Sequence, residues 1–296
     1  MSQTVTPALR QWIIDQTATG FSPEAVLTAM LSAGWEEALA ETTLEDTLRE
    51  YLRSHAPQGV TPPAPVAGVA PADANGFAFG LPHIALEQSP RLVDAGDRQV
   101  AVLSSMALPR VVVLGSLLSD EECDALIAAA LPRMARSLTV ETKSGGEELN
   151  ESRTSNGMFF NRGESELLQR IEARIARLVN WPVENGEGMQ VLHYGVGTEY
   201  KPHYDYFDPT EPGTPTILKR GGQRVGTLVM YLNDPAQGGG TTFPDVGLEV
   251  APQRGNAVFF SYDQPHPSTR TLHGGAPVIT GEKWVATKWL RQGVFV

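Results

Sequence analysis

The chain has 296 residues, a formal charge of −11 and one cysteine, Cys123. That length can bury one large core, or one core and a small satellite, and the acidic balance, with no run of Lys or Arg, argues against nucleic acid and anionic membrane as partners. A lone cysteine closes no internal disulfide, apolar stretches such as Val111–Leu114 and Ala125–Leu131 are too short to span a bilayer, and Met1–Pro7 lacks the basic start and apolar run of a signal peptide, so a cytoplasmic protein is expected.

Residues 7 to about 54 read as helical. Ala8–Ile14 begins an amphipathic segment. Ser22-Pro23-Glu24 opens the next, with Ser as N-cap, Pro at the first helical position and acid in the first turn. Ala25, Val26, Met30 and Leu31 keep helical spacing, and Gly34 is placed to end that helix. Thr43–Leu48 begins a third. Such helices form a small bundle, a dimerisation or docking element, or a cap on the main domain. Residues 55–78 are rich in Pro, Ala and Gly, the composition of an extended linker, and mark the expected domain boundary. Within them Pro62–Pro65 resembles a polyproline segment, although a plain spacer is the simpler reading.

Residues 79–296 read as one α+β domain. Val111–Leu114 is a short strand, Ser119-Asp120-Glu121-Glu122 caps a helix through Leu131, and Glu164–Val179 is a second helix with Leu167, Leu168, Ile171, Ile175 and Leu178 as its apolar stripe. After Trp181 the pattern changes to strands separated by Gly and Pro turns: Met189–Tyr194, Tyr200–Tyr206, Gly226–Leu232, Val246–Val250, Ala257–Tyr262 and Lys283–Leu290. Short strands in this number predict a β-sandwich or jelly roll packed by the preceding helices.

His203 and Asp205 stand two apart in the run Glu199–Tyr206, and in an extended strand such residues share a face. An imidazole and a carboxylate on one face can hold one metal ion. Of the six histidines, His55 and His83 lie in and just after the linker, and His193 reads as a satisfied core residue. His266, in a loop context, and His273, a short turn before a strand carrying Lys283, are both candidates for a third ligand, and spacing favours His273. Two histidines and a carboxylate with open positions are the pattern of non-haem Fe(II) oxygenases.

Several segments in order resemble the prolyl 4-hydroxylases: Arg153–Met158, Val191–Asp205, Arg224–Asp234, Gly238–Pro244, Gly255–Phe260 and His273–Trp289. The resemblance covers roughly residues 100 to 293 and leaves out the N-terminal 78. It implies an Fe(II)- and 2-oxoglutarate-dependent dioxygenase on a double-stranded β-helix, or jelly roll, with O2 as cosubstrate and ascorbate as reductant. His203, Asp205 and His273 would be the iron ligands. Lys283 would pair with the far carboxylate of 2-oxoglutarate, a task for a cation on a rigid strand, and Tyr194 and Thr227 would hydrogen-bond the same molecule. Tyr200 and Trp289 match positions near the substrate proline, where an aromatic wall suits an apolar ring. Arg220 or Arg224 would meet substrate carbonyls. The implied reaction is hydroxylation of a prolyl residue, with succinate and CO2 as coproducts.

The long polar segment Phe207–Gln223, rich in Gly and Pro, is expected to act as a lid. Three rivals stand beside the leading reading. The first is a hydroxylase of free proline or a related cyclic amino acid, which needs a carboxylate clamp that no residue obviously supplies. The second is a non-catalytic jelly-roll protein working through its N-terminal helices. The third, a metal-dependent isomerase or hydrolase, has no use for Lys283.

Overall fold

The structure, a computed structural model, describes residues 5–18, 23–36, 39–40, 42–44, 46–47, 80–136, 139–140, 147–148 and 154–296. The chain divides into two units, Met1–Pro71 and Ala72–Val296. In the first, α1 (Pro7–Ala18) and α2 (Pro23–Ser32) are followed by further helical residues between 39 and 47. Ile13, Val26, Met30, Ala40 and Leu44 share a small core. Gly34 does end α2: at φ +87° it lets its own N–H reach Leu31 and the Trp35 N–H reach Met30, the two bonds of a Schellman motif. The Ser22 cap, His55 and the 55–78 linker lie outside the described residues.

In the second unit, the strands that build the site are divided between two antiparallel sheets, and every consecutive pair but β4 and β5 changes sheet. They are β1 (Met189–Tyr194), β2 (Tyr200–His203), β3 (Arg224–Tyr231), β4 (Thr241–Phe243), β5 (Leu248–Val250), β6 (Ala257–Ser261), β7 (His273–Gly275) and β8 (Lys283–Arg291). One sheet has the order β5-β4-β7-β2. The other is nine-stranded, with β6-β3-β8-β1 at its centre. Its outer strands are Leu92–Asp94, Gln99–Met106 and Arg110–Gly115 on one side, and Asn156–Phe160 and Ala135–Arg136 on the other. Passing from sheet to sheet in this order is the jelly roll.

Strand periodicity decides what faces the interior. Along β8, Lys283, Val285, Thr287 and Trp289 line the cavity between the sheets. The alternate residues Trp284, Ala286 and Leu290 join the core on the opposite face. β1 and β3 divide likewise, with Leu192, Tyr194, Thr227 and Val229 inward and Met189, Val191, Leu228 and Met230 outward. The outward core is closed by α3 (Asp120–Ala130) and α4 (Glu166–Leu178). α3 begins in a capping box between Ser119 and Glu122. α4 buries Leu168, Ile171, Ile175 and Leu178, each worth about 1.5–3 kcal/mol. Both helices are shorter at their ends than the sequence pattern suggested. At the C-terminus of α3, Pro132 lacks an N–H, and the chain turns into a 3-10 segment, Leu131–Arg133.

Candidate active site

β2 ends at His203, and Asp205 lies in the bend beyond it. The strand expected to run to Tyr206 is short because its partner β7 pairs only from His273 to Gly275. β2 is an edge strand, which is why Pro202 is tolerated in it. His203 stands directly opposite His273 in the ladder. The two strands meet closely at Gly274, where a Cβ would come 2.8 Å from the Tyr200 carbonyl oxygen.

One ligand atom from each of His203, Asp205 and His273 lies within 4.8 Å of the others. His203 Nδ1 is 2.9 Å from the Lys201 carbonyl oxygen, and His273 Nδ1 is 2.9 Å from that of Thr271. Only an N–H satisfies a carbonyl, so each Nδ1 carries the proton and each Nε2 is left as the electron-pair donor. The Nε2 atoms face Asp205, one at 3.5 Å from Oδ1 and the other at 3.5 Å from Oδ2. That is too long for a hydrogen bond, but donors that each sit about 2.0–2.2 Å from one cation are spaced in this way. Burial pushes the His273 imidazole down to about 4, so it is neutral and free to ligate at pH 7. For Asp205, burial acts to raise the carboxyl, and His273, His203 and Arg224 outweigh it, so the group lies below the usual carboxylate range. Nitrogen and carboxylate donors with open positions fit Fe(II).

The side chains around the three fall into an inner cavity and an outer groove. Tyr194, Tyr200, Thr227, Lys283 and Trp289 all line the inner cavity. Lys283 is 4% exposed, and its ammonium lies 5.5 Å and 5.9 Å from the ring centroids of Tyr194 and Tyr231. It has no hydrogen-bonded acceptor among the described residues. Burial, partly offset by Glu249, lowers its pKa to about 8. A buried, charged amine facing a cavity without an acceptor fits an incoming carboxylate. Thr227, expected as a cosubstrate partner, gives its hydroxyl to Asp205 Oδ2 at 2.7 Å and also meets the Tyr262 hydroxyl at 3.2 Å. It therefore orients the carboxylate.

Outside this lies a groove of about 720 Å³. Tyr200 is stacked on His203 with ring centroids 3.7 Å apart, and both Tyr200 and Trp289 line groove as well as cavity. Arg224 reaches it too, with its guanidinium carbon 4.1 Å from the Trp289 ring centroid and 4.9 Å from that of Phe207. Arg224 is bidentate to Glu187, at 2.6 Å and 3.0 Å, and Arg291 shares the same carboxylate at 2.7 Å. Arg220 is not brought to the site: its Nε donates to the Val296 carbonyl at 2.9 Å and its guanidinium lies over Phe295. His266 is exposed at the groove rim, and its Nδ1 accepts from the Ser268 N–H at 3.1 Å. His193 pairs with Glu282 at 2.7 Å, and His83 is exposed.

The 207–223 segment is more ordered than its composition suggests. It contains a short helix, α5 (Thr214–Leu218), and buries Phe207, Thr214 and Ile217. The Gln223 amide accepts from the Phe207 N–H at 2.7 Å and donates to the Phe207 carbonyl at 2.8 Å, pinning the segment's two ends together. In this structure it forms a wall of the groove. Sequence reasoning missed Glu187, Tyr262, Phe159 and Thr241. The Tyr231 hydroxyl donates to Thr241 at 2.7 Å, which leaves the Thr241 hydroxyl proton to turn into the cavity. Thr241 sits in the Gly-Gly-Gly-Thr-Thr run, the one local signal among the four.

Residues 189–291 match the model of the 2OG-Fe(II) oxygenase superfamily. The chain is 43% identical over 221 residues to prolyl 4-hydroxylase 5 of Arabidopsis thaliana, covering 68% of this chain and 74% of the relative. It is 45% identical over 203 residues to prolyl 4-hydroxylase 1 of the same plant, covering 62% and 69%. Among solved structures, the viral collagen prolyl hydroxylase of Paramecium Bursaria Chlorella virus-1, in its 2OG complex, aligns with a TM-score of 0.47 and 32% identity over 61% of this chain and 95% of that one.

Proposed function

This chain belongs to the prolyl 4-hydroxylase family of Fe(II)- and 2-oxoglutarate-dependent dioxygenases, and from that membership we propose how its own residues divide the work. It hydroxylates prolyl residues of a peptide or protein, consuming 2-oxoglutarate and O2 and releasing succinate and CO2. Bound Fe(II) supplies the site at which O2 and 2-oxoglutarate react, coupling the decarboxylation to oxygen insertion into a C–H bond.

His203, Asp205 and His273 hold the iron, and the Thr227 hydroxyl fixes the carboxylate's rotation. Lys283 binds the far carboxylate of 2-oxoglutarate, with Tyr194 beside it. Tyr200 and Trp289 wall the target ring, and the Glu187–Arg224 pair backs Trp289. Arg220 takes no part. Ascorbate serves as the reductant that returns the metal to Fe(II), and the hydroxyl is placed at ring carbon 4. The observation that supports this assignment most is the grouping of three ligand atoms within 4.8 Å of one another at the mouth of a groove.

A peptide is favoured over free proline by Arg224. Among the described residues it is the one Lys or Arg lining the groove, and Glu187 already holds it bidentately. No cation is left there among the described residues for a free α-carboxylate. Mass spectrometry of peptides and of free proline, incubated with enzyme, Fe(II), 2-oxoglutarate and ascorbate, tests the choice. A peptide product heavier by an oxygen atom at proline is expected, and turnover of free proline alone would overturn it.

Residues 79–296 are assigned as the catalytic domain, 55–78 as a spacer and 1–54 as a helical unit for docking or dimerisation. Removing residues 1–78 is then expected to change mass in solution or partner binding while peptide turnover persists. Among the described residues no helix is long and apolar enough to cross a membrane. A cytoplasmic location accompanies the assignment, since the single cysteine, buried and with its thiol pushed up to about 11, suits a reducing compartment.

A further inference from the structure

The groove is larger than one proline ring requires, and its walls are chemically unlike its rim. Phe159 and Trp289 line it with ring centroids 6.3 Å apart, and Tyr204 and Tyr206 line it stacked at 4.7 Å. Trp289 is 7% exposed and its indole N–H has no hydrogen-bond partner among the described residues. A buried donor left unpaired is costly, so it points to an acceptor brought in by the occupant, as a peptide carbonyl would be.

Among the described residues, the charged side chains on the wall formed by the 207–223 segment of the groove are both carboxylates. Arg224 is committed to Glu187, which it shares with the buried Arg291. Asp208 and Glu211, on the wall formed by the 207–223 segment, have no ion-pair partner among the described residues. The Asp208 carboxylate is held in place, since its Oδ1 accepts from the Thr210 N–H at 2.8 Å and the Thr210 hydroxyl at 2.7 Å. Those bonds also hold its carboxyl below the usual range, so it is charged at neutral pH.

We propose that Asp208 and Glu211 are specificity-determining residues that select a Lys or Arg flanking the target proline, so that the substrate is a cationic proline-containing segment. This rests on the groove being the prolyl-peptide site. A cation on the rim gains from the fixed carboxylate and from the nearby phenol faces. The contact is made equally before and during reaction, so it acts on KM and leaves kcat nearly alone.

The test is a set of peptides sharing one proline core with Lys, Ala or Glu at the flanking positions, followed by hydroxylated product and by succinate. The expected order in kcat/KM is Lys over Ala over Glu, with about three- to tenfold between Lys and Glu. Raising the ionic strength to about 0.5 M should shrink that ratio. In Asp208→Asn/Glu211→Gln the ratio should fall toward one; Asn keeps the oxygen that caps Thr210. In Asp208→Lys/Glu211→Lys it should invert. Equal turnover of the Lys and Glu peptides by the wild type, or a ratio unchanged by salt and by both variants, overturns the proposal while the prolyl-peptide reading stands. If no peptide is hydroxylated although succinate forms, that reading fails and the selection falls with it.

Discussion

Replacing Lys283 by methionine sets binding against stability, and both sides can be measured. The ammonium is 4% exposed, and burial holds its pKa at about 8 against an ordinary 10.5. The unfolded chain therefore holds that proton more tightly than the folded one. The gap corresponds to roughly 3 kcal/mol of stability lost while the lysine is charged. This cost is fully present below pH 8, fades as pH rises toward 10.5 and is absent above it. Methionine keeps the bulk and drops the charge, so the ligand-free variant should be more stable than wild type at pH 7 by up to about 3 kcal/mol. The rise in wild-type stability across that pH window should vanish with it.

Cosubstrate binding should move the other way. A charge-assisted hydrogen bond is worth about 1.5–3 kcal/mol, and methionine leaves the carboxylate buried and unpaired. The KM for 2-oxoglutarate should rise at least about 10- to 100-fold. The wild type must also take up a proton to bind above pH 8. Its affinity should be flat below that pH and weaken by about tenfold per pH unit above it, and the variant should lose this dependence. Thermal unfolding of the ligand-free protein and calorimetric titration with 2-oxoglutarate under anaerobic Fe(II) read the two sides. A variant that binds 2-oxoglutarate as wild type does, or that is less stable at pH 7, would refute the reasoning.

Thr227→Val strips Asp205 Oδ2 of its 2.7 Å donor. Metal affinity should drop about 10- to 100-fold, read by titration with Co(II), with little change in the far-UV spectrum. Gln223→Leu removes the partners of the Phe207 N–H and carbonyl and should cost about 1–3 kcal/mol for each group left bare. Faster proteolysis within 207–223 and a higher peptide KM should accompany the loss; an unchanged cleavage rate would show that the amide does not pin the wall. Ser119→Ala breaks the capping box of α3 and should lower unfolding free energy by about 1 kcal/mol without moving either KM.

What could be read from the sequence follows the reach of each signal. β8 was legible because Lys-Trp-Val-Ala-Thr-Lys-Trp-Leu-Arg is buried on both faces as one unbroken strand, and Gly and Pro turns bracket its neighbours. His203 and Asp205 were legible as a pair because they are local. Their geometry was read too simply, since Asp205 leaves the strand and is aimed by Thr227 from another sheet. The Glu187–Arg224–Arg291 cluster was illegible: its partners lie 37 and 104 residues apart, and no short pattern records such a meeting. Arg220 and Arg224 look alike in the sequence, four residues apart. Only the pinning of the segment by Gln223 separates them, one toward the C-terminus and the other under Trp289. The strands from Leu92 to Met106 went unread because they sit at a sheet edge with Leu92 and Leu103 exposed, so no alternation marks them.

Turnover of a proline-containing peptide under labelled dioxygen tests the central claim most directly, by following the heavy oxygen into both products. The wild type should place a labelled atom in the hydroxyl of proline and another in succinate, in equal amounts, and His203→Ala should yield neither. Hydroxyproline carrying oxygen from water, or labelled product made at an undiminished rate by His203→Ala, would contradict it.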